Sequence, residues 1–148
     1  MKFYQEVKIK NTKFEDVTNS FHDIKFVKFL TCLQPIKIIN WDGIQNGKLA
    51  FFKLWFLGWK NFKVKHSNYK NSTNELSFID SGIELPLGLK SWYHEHIVTN
   101  NKNEIIIVDS LNIEHSNTLV GYIIFPILTL PIFIRIFLYK IYFRKHIA

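Results

Sequence analysis

Cysteine is almost absent from this chain, since Cys32 is the only one among 148 residues. One thiol cannot form an internal disulfide or build a cysteine-rich zinc site, so both are excluded. Apolar residues flank Cys32 in the sequence, which favours a buried structural thiol. A cysteine-poor chain suits a reducing compartment, and the alternating first ten residues contain no apolar signal core. We therefore expect a cytoplasmic protein.

Arginine is also scarce. Only Arg135 and Arg144 occur, although the formal net charge is +7, so lysine supplies nearly all of the positive charge. Proteins that read bases rely mostly on arginine, and we therefore predict no nucleic-acid partner. Lysine spread along the chain favours solubility and a loose attraction to anionic surfaces.

Recognisable catalytic motifs are missing as well. The sequence has no glycine-rich phosphate loop, no Gly-x-Ser-x-Gly elbow, and no nucleophile, base and orienting group at a familiar spacing. We predict no catalytic residue and no cofactor. Asp80 and Asp109 lie among apolar neighbours and leave two interpretations open. Each is either a general base whose pKa is raised by desolvation or a structural hydrogen-bond acceptor, and we favour the structural role.

Aromatic residues, in contrast, are abundant. Hydrophobic residues make up 47% of the chain and aromatic residues 16%, including 14 Phe and 4 Trp. This is more than the tight core of one domain needs, so a lined cavity or a membrane-facing surface would account for the surplus. The length fits a single domain over residues 1–148.

Hydrophobic periodicity predicts both strands and helices. Residues Lys2 to Lys10 alternate with period two, which indicates a strand. Between Asn11 and Leu33 apolar residues recur every three or four positions. They predict two short helices, with Thr12 as the N-cap of a capping box and a break between residues 19 and 23. Pro35 ends this helical region.

Six further strands are predicted after Pro35. They lie at Ile36–Trp41, Lys48–Leu57, Lys60–Tyr69, Glu75–Asp80, Ser91–Thr99 and Glu104–His115. Gly82 to Gly88, which contains Pro86, is expected to be an irregular crossing. Strands in runs, with helices kept to one side, indicate an α+β domain with an antiparallel sheet.

The last segment carries no charged side chain from Leu119 to Ile134. Because Pro126 and Pro131 lie inside it, we predict that a regular helix begins between Gly121 and Pro131 and runs to about Lys145. A helix that is apolar nearly all round is buried, lies against a ligand or touches lipid. A tail anchor is an alternative, but the uncharged stretch is shorter than the roughly twenty residues that a span needs.

Several of these segments together resemble the START-like (SRPBCC) ligand-binding superfamily, in particular its small bacterial members. The matching features are Trp41…Gly43…Gly47, the Phe52–Trp55 strand, Phe78-Ile79-Asp80, Trp92-Tyr93-His94-Glu95-His96, Asp109 and Arg135 with Phe137. The resemblance implies the helix-grip fold, in which a curved seven-stranded antiparallel sheet wraps around a long C-terminal helix. It also implies a pocket between sheet and helix, and it agrees with the two short helices predicted after the first strand.

The resemblance further implies that the pocket binds or carries a small hydrophobic ligand (lipid, isoprenoid or polyketide-like). Some members of the superfamily are cyclases, dehydratases or hydrolases, so an enzyme acting on an apolar substrate is the alternative. We expect Trp92, His94, His96 and Asp109 at the polar end of the pocket. The expected walls are Phe52, Trp55, Phe62, Phe78, Phe133 and Phe137.

His94 and His96 lie two apart on one strand face and could chelate a metal with His66 or His115. A glutamate four or five residues after the second histidine is missing, and we predict no metal. Hydrogen bonds from these imidazoles to Asp80 or Asp109 are the expected role. Peripheral membrane contact through the C-terminal helix is a further expectation.

Overall fold

A computed structural model describes residues 1–145. Within them, seven strands form one antiparallel sheet in the order β1-β7-β6-β5-β4-β3-β2. The strands are β1 (Lys2–Lys10), β2 (Ile36–Trp41), β3 (Leu49–Trp55), β4 (Trp59–Asn71), β5 (Glu75–Glu84), β6 (Leu89–Asn101) and β7 (Glu104–His115). The helices are α1 (Phe14–Phe21), α2 (Ile24–Thr31) and α3 (Thr118–Lys145). The predicted α+β class, strand number and two early helices are confirmed.

The first strand shows why period two predicts the sheet so well. Gln5, Val7 and Ile9 are buried, whereas the residues between them face solvent. β1 pairs with β7 from Lys2 opposite Asn112 to Lys10 opposite Glu104. The first and the last strand of the chain therefore lie side by side, and β1 presents its apolar face to the core.

The crossing between β5 and β6 is shorter than predicted. β5 continues to Glu84, so only residues 85–88 are irregular. Gly82 lies inside the strand, where a Cβ atom would collide with the Leu85 side chain. Gly88 has φ +76° and makes the turn into β6. Gly82 thus marks a close approach within a strand rather than a strand end.

The start of the first helix also differs from the prediction. α1 has Lys13 at its N-cap with no side-chain cap, and the Thr12 hydroxyl instead donates to the Lys10 carbonyl. The predicted capping box at Thr12 is wrong. Asp23 caps α2 by accepting from the Lys25 amide at 2.8 Å. Cys32 follows the last residue of α2 and is exposed, so the predicted buried thiol is wrong.

Helix α3 begins earlier than predicted, at Thr118. The Asn117 side chain caps it by accepting from the Val120 amide at 3.1 Å. The helix continues through Pro126 and Pro131, although each proline removes one backbone hydrogen bond. The prolines are compatible with this helix because it packs on the sheet along much of its length, which offsets their cost.

Two apolar clusters hold α3 against the concave side of the sheet. Near its C-terminal end, Leu138, Tyr139 and Phe143 join α1, α2 and the inner faces of β1, β5, β6 and β7. Near its N-terminal end a second cluster packs against β6 and β7; its α3 members are Ile124, Leu128 and Ile132. The apolar C-terminal segment, which forms α3, therefore folds back over the sheet and does not project from it.

Candidate functional site

A cavity of about 310 Å³ lies beneath α3, between the helix, strands β3 to β6 and the turn after α2. Its walls are mostly apolar, and Phe52, Phe62, Trp92 and Leu128 are among them. Its polar groups include Asp80, His94 and Arg135, which belong to three different elements. The cavity thus combines apolar walls with a cluster of ionisable groups, which is the usual composition of a small-molecule site.

A smaller cavity of about 80 Å³ lies nearer the α1 and α2 side. His66, Phe78 and His96 line it, and Asp80 and Arg135 line both cavities. Asp80 and Arg135 therefore lie at the boundary between the two cavities.

The structure brings eight of the ten predicted ligand-binding residues to this region. Phe52, Trp55, Phe62, Trp92 and His94 line the large cavity, and Phe78 and His96 line the small one together with Phe52. Asp109 lies behind them, fully buried, and contacts His94.

Phe133 and Phe137 were assigned to the walls, and the structure does not support this. Their side chains are 45% and 57% exposed, pack against each other and line neither of these cavities. They lie one helical turn apart on the outer side of α3, whereas Ile134 and Arg135 face the large cavity. A helix that is apolar on both sides gave no pattern from which to choose its inner face.

The polar cluster is assembled by strand register. His66 on β4 lies opposite Asp80 on β5, and Asp80 lies opposite His94 on β6. His96 lies opposite Asp109 on β7. Because alternate residues share a face, His94 and His96 both point inward, and their rings are 3.9 Å apart.

Asp109 is the centre of this cluster and has no exposed surface. Its Oδ1 accepts from His94 Nε2 at 3.0 Å and from an Arg135 terminal nitrogen at 3.4 Å. Its Oδ2 accepts from Gln5 Nε2 at 2.9 Å and from the Tyr139 hydroxyl at 3.1 Å. Four donors from β1, β6 and α3 thus converge on one carboxylate.

Asp80 is the second carboxylate. Its Oδ2 accepts from His96 Nε2 at 3.0 Å. His66 Nε2 lies 3.0 Å from its Oδ1 without hydrogen-bond geometry. The His96 ring stacks on Phe78 with centroids 4.5 Å apart, which fixes the plane of the imidazole.

These contacts decide the protonation states. Burial would raise the pKa of both carboxyl groups, but the histidines beside them, together with Arg135 for Asp109, hold both pKa values well below the usual 3.8. Burial and the neighbouring His96 lower the pKa of His94 to about 4. For His96, burial is outweighed by Asp80 and Asp109, and its pKa rises above 6.5. The raised aspartate pKa considered above is therefore wrong, because both carboxylates are ionised acceptors.

Three members of the cluster were not among the predicted site residues: Gln5, Tyr139 and Arg135, of which Arg135 was noted only as a feature of the family resemblance. Gln5 is a polar residue on the otherwise apolar inner face of β1, and its Nε2 also donates to the Ile132 carbonyl at 2.7 Å. That interruption of an apolar face was a signal for a buried polar site. Tyr139 gave no such signal, because tyrosine on an apolar helix commonly packs like phenylalanine.

No protein-family model matches this chain, and no curated protein matches its sequence. Solved structures do match its architecture. A point mutant of norcoclaurine synthase from Thalictrum flavum superposes with a TM-score of 0.68 at 19% identity, covering 100% of this chain and 96% of that one. This chain has the helix-grip fold.

Other helix-grip structures support the same assignment. Major latex-like protein 151 from Panax ginseng gives a TM-score of 0.57 at 13% identity, over 89% of this chain and 94% of that one. A hypothetical protein from Helicobacter pylori gives 0.59 at 14% identity, over 78% and 70%. At these identities the likeness establishes the fold alone.

Proposed function

We propose that this protein binds or carries a small hydrophobic molecule (lipid, isoprenoid or polyketide-like) in the large cavity beneath α3. The observation that carries the proposal is the cavity itself: about 310 Å³, mostly apolar, with Asp80, His94 and Arg135 in its lining. Apolar burial would contribute about 25 cal/mol per Å², so roughly 200 Å² of buried ligand surface would give about 5 kcal/mol before entropic costs.

The helix-grip neighbours support small-molecule binding in this fold. One structure of norcoclaurine synthase contains dopamine and hydroxybenzaldehyde, and it covers 89% of this chain at a TM-score of 0.62. Its sequence is 19% identical, so its activity is not carried over. We propose for this chain only the shared capacity to enclose a small molecule.

The alternative function is that of an enzyme acting on an apolar substrate in the same cavity. His94 borders the cavity and its Nε2 donates to Asp109 at 3.0 Å, which is how a carboxylate orients a general base. The low pKa of His94, about 4, makes it a weak base at neutral pH, and this favours binding over catalysis.

Filling the cavity tests the binding proposal. Leu54 on β3 lines the cavity, so Leu54→Trp should place an indole in it. Leu49 lies on the same strand, is 39% exposed and does not line the cavity, which makes Leu49→Trp the matched control. With an apolar fluorescent probe such as 1-anilinonaphthalene-8-sulfonate, Leu54→Trp should weaken binding at least tenfold, and Leu49→Trp should not. Equal binding by both variants would contradict the proposal.

A second observation favours loading of the cavity at a membrane surface. Nine large apolar side chains of α3 are exposed: Leu119, Val120, Tyr122, Ile123, Ile127, Leu130, Phe133, Phe137 and Ile141. By length and composition α3 could span a bilayer, because its most apolar stretch of 18 residues, within Thr118–Arg144, has a mean hydropathy of 2.1 and is only 22% buried. Since α3 packs on the sheet, we propose peripheral contact rather than a tail anchor.

The mouth of the cavity opens on this same apolar surface. Ile127 and Leu130 are exposed and also line the cavity, as do Leu33 and Trp55 on the opposite rim. With a net charge of +7, an anionic bilayer is the fitting partner. We propose a cytoplasmic protein that exchanges its ligand with such a surface.

Vesicle flotation tests this contact. Phe133→Glu should reduce co-flotation with phosphatidylglycerol vesicles severalfold, because it places a carboxylate at the lipid boundary. Tyr93→Glu on β6 alters a side chain with a similar exposure, 43%, and should have no effect. Equal flotation of both variants would contradict membrane contact. So would a dimer in size-exclusion chromatography that Phe133→Glu converts to a monomer, because the surface would then be an interface between two copies.

A further inference from the structure

We propose that Asp80, His94 and His96 bind one divalent transition-metal ion at the polar end of the large cavity. One ligand atom from each of these side chains lies within 4.8 Å of the other two. The sequence lacks a glutamate four or five residues after His96, and this led to the prediction of no metal. The fold supplies the third ligand from β5, because Asp80 lies opposite His94 in the β5–β6 register.

The spacing of the first two ligands already suits a metal ion. His96 Nε2 and Asp80 Oδ2, which form the hydrogen bond described above, are 3.0 Å apart, and a metal ion would take the place of the hydrogen between them. Two ligands that meet at a right angle with bonds of about 2.1 Å are separated by about 3.0 Å, which is the same distance. The imidazole of His94 lies beside that of His96, with centroids 3.9 Å apart, so a modest side-chain movement completes the set.

Unsatisfied buried atoms provide an independent observation. Within the described residues, Asp80 Oδ1 and His96 Nδ1 are buried and make no hydrogen bond. His96 Nδ1 lies 3.3 Å from Asp109 Oδ1, but without hydrogen-bond geometry. Buried polar atoms are rarely left unpaired. With a cation on His96 Nε2, the ring hydrogen lies on Nδ1 and faces Asp109 Oδ1, while Asp80 Oδ1 offers the cation a free lone pair, so both penalties are reduced.

The surrounding groups match what metal-binding histidines require. His94 donates its Nε2 hydrogen to Asp109, which leaves Nδ1 as the ligand atom. Gln5 and Tyr139 fix Asp109 from the other side. A carboxylate behind the histidine is the common arrangement at protein metal sites, since it sets the tautomer and the orientation of the ring.

The local charge also accommodates a cation. The cluster contains two carboxylates, Asp80 and Asp109, against the one guanidinium of Arg135, and a cation bound to His96 would take the place of the hydrogen between that imidazole and Asp80. Metal binding would displace any proton on His96, so uptake is expected to weaken as the pH is lowered.

Two imidazoles and one carboxylate leave coordination positions open, which is typical of iron(II) or zinc sites that bind a further ligand. That ligand would be the polar group of the molecule in the adjoining cavity, and this part of the inference rests on the proposed function. The metal site itself does not, because its ligands come from the protein alone.

Metal titration of the full chain provides the test. After dialysis against EDTA, the protein is titrated with Zn²⁺ by calorimetry and with Co²⁺ by visible absorption. We expect one ion per chain, and at least tenfold weaker binding in Asp80→Asn and in His96→Gln. The control is His22→Gln, whose imidazole contacts Tyr69 outside the cluster and whose loss should leave the affinity unchanged.

Two results would overturn the inference: no stoichiometric uptake by the wild-type protein, or uptake that Asp80→Asn leaves unchanged while its circular dichroism stays native. Binding of the apolar probe is measured in parallel on the metal-free protein. Probe binding without metal uptake would remove only the metal site. Metal uptake without probe binding would remove only the proposed carrier function.

Discussion

Replacing Asp109 with asparagine tests how strongly the fold depends on the buried cluster. Asparagine has nearly the same shape but no charge, so Arg135 loses its contacting carboxylate. The asparagine amide can be oriented in two ways, and in each of them its nitrogen faces another hydrogen-bond donor. At Oδ1 it faces Arg135, and at Oδ2 it faces Gln5 Nε2, which is already committed to the Ile132 carbonyl.

The expected loss of stability is about 3–5 kcal/mol, the usual result of removing one partner from a buried ionic pair. This is a large share of the roughly 5–15 kcal/mol by which a typical domain is stable. With a urea m-value of about 2 kcal/mol per M, the unfolding midpoint should fall by about 2 M.

The assay is equilibrium unfolding in urea with EDTA present, followed by tryptophan fluorescence. Glu114→Gln is the control, since it removes an exposed carboxylate from the same strand and should change stability by less than about 0.5 kcal/mol. The double variant Asp109→Asn/Arg135→Met should lose less than the sum of the two single losses. A loss below about 1 kcal/mol in Asp109→Asn would refute the claim that Asp109 compensates a buried charge.

Three further predictions concern the local structure. Asp23→Ala should lower the free energy of unfolding by about 1 kcal/mol because it removes the α2 cap, whereas Thr12→Ala should have little effect; equal losses would contradict the capping described here. Gly88→Ala should cost more than Gly47→Ala, by at least about 1 kcal/mol. Both positions have positive φ, but only at Gly88 would a Cβ meet a ring, that of His115 at 2.8 Å, so equal unfolding midpoints would argue against this contact. Cys32 should react with a thiol reagent in the native protein as fast as in urea, and strong protection would show that it is buried.

The sheet could be predicted from the sequence because alternation leaves little choice. On β1 the buried residues are every second one, and a one-residue slip would expose them all. For the remaining strands, turn residues marked where each strand begins or ends, as Gly88 does before β6. The prediction of an irregular crossing from Gly82 onward failed, because glycine occurs both in turns and at close approaches inside strands. Gly82 lies inside β5.

Helix α3 could be predicted only in part. Its existence follows from the long apolar run, but its start at Thr118 depends on the Asn117 cap, and packing on the sheet offsets the cost of the two prolines. Its orientation could not be predicted, because apolar residues cover both sides. Phe133 therefore faces outward, while Arg135 faces the cavity.

The candidate site depends on strand register, which single residues do not reveal. His94 and His96 were recognised from their spacing, but Asp80 reaches them only through the β5–β6 pairing. Gln5 reaches Asp109 across 104 positions of sequence. Such contacts depend on which strands lie side by side in the sheet, and the spacing of residues along the chain does not give that order.

Native mass spectrometry of the protein purified from cells tests the central claim most directly. If the cavity holds a small apolar molecule, the wild-type protein should carry additional mass that collisional activation releases, and Leu54→Trp should lose it while Leu49→Trp keeps it. Equal occupancy of both variants, or no bound molecule together with no binding of apolar probes in solution, would contradict the account.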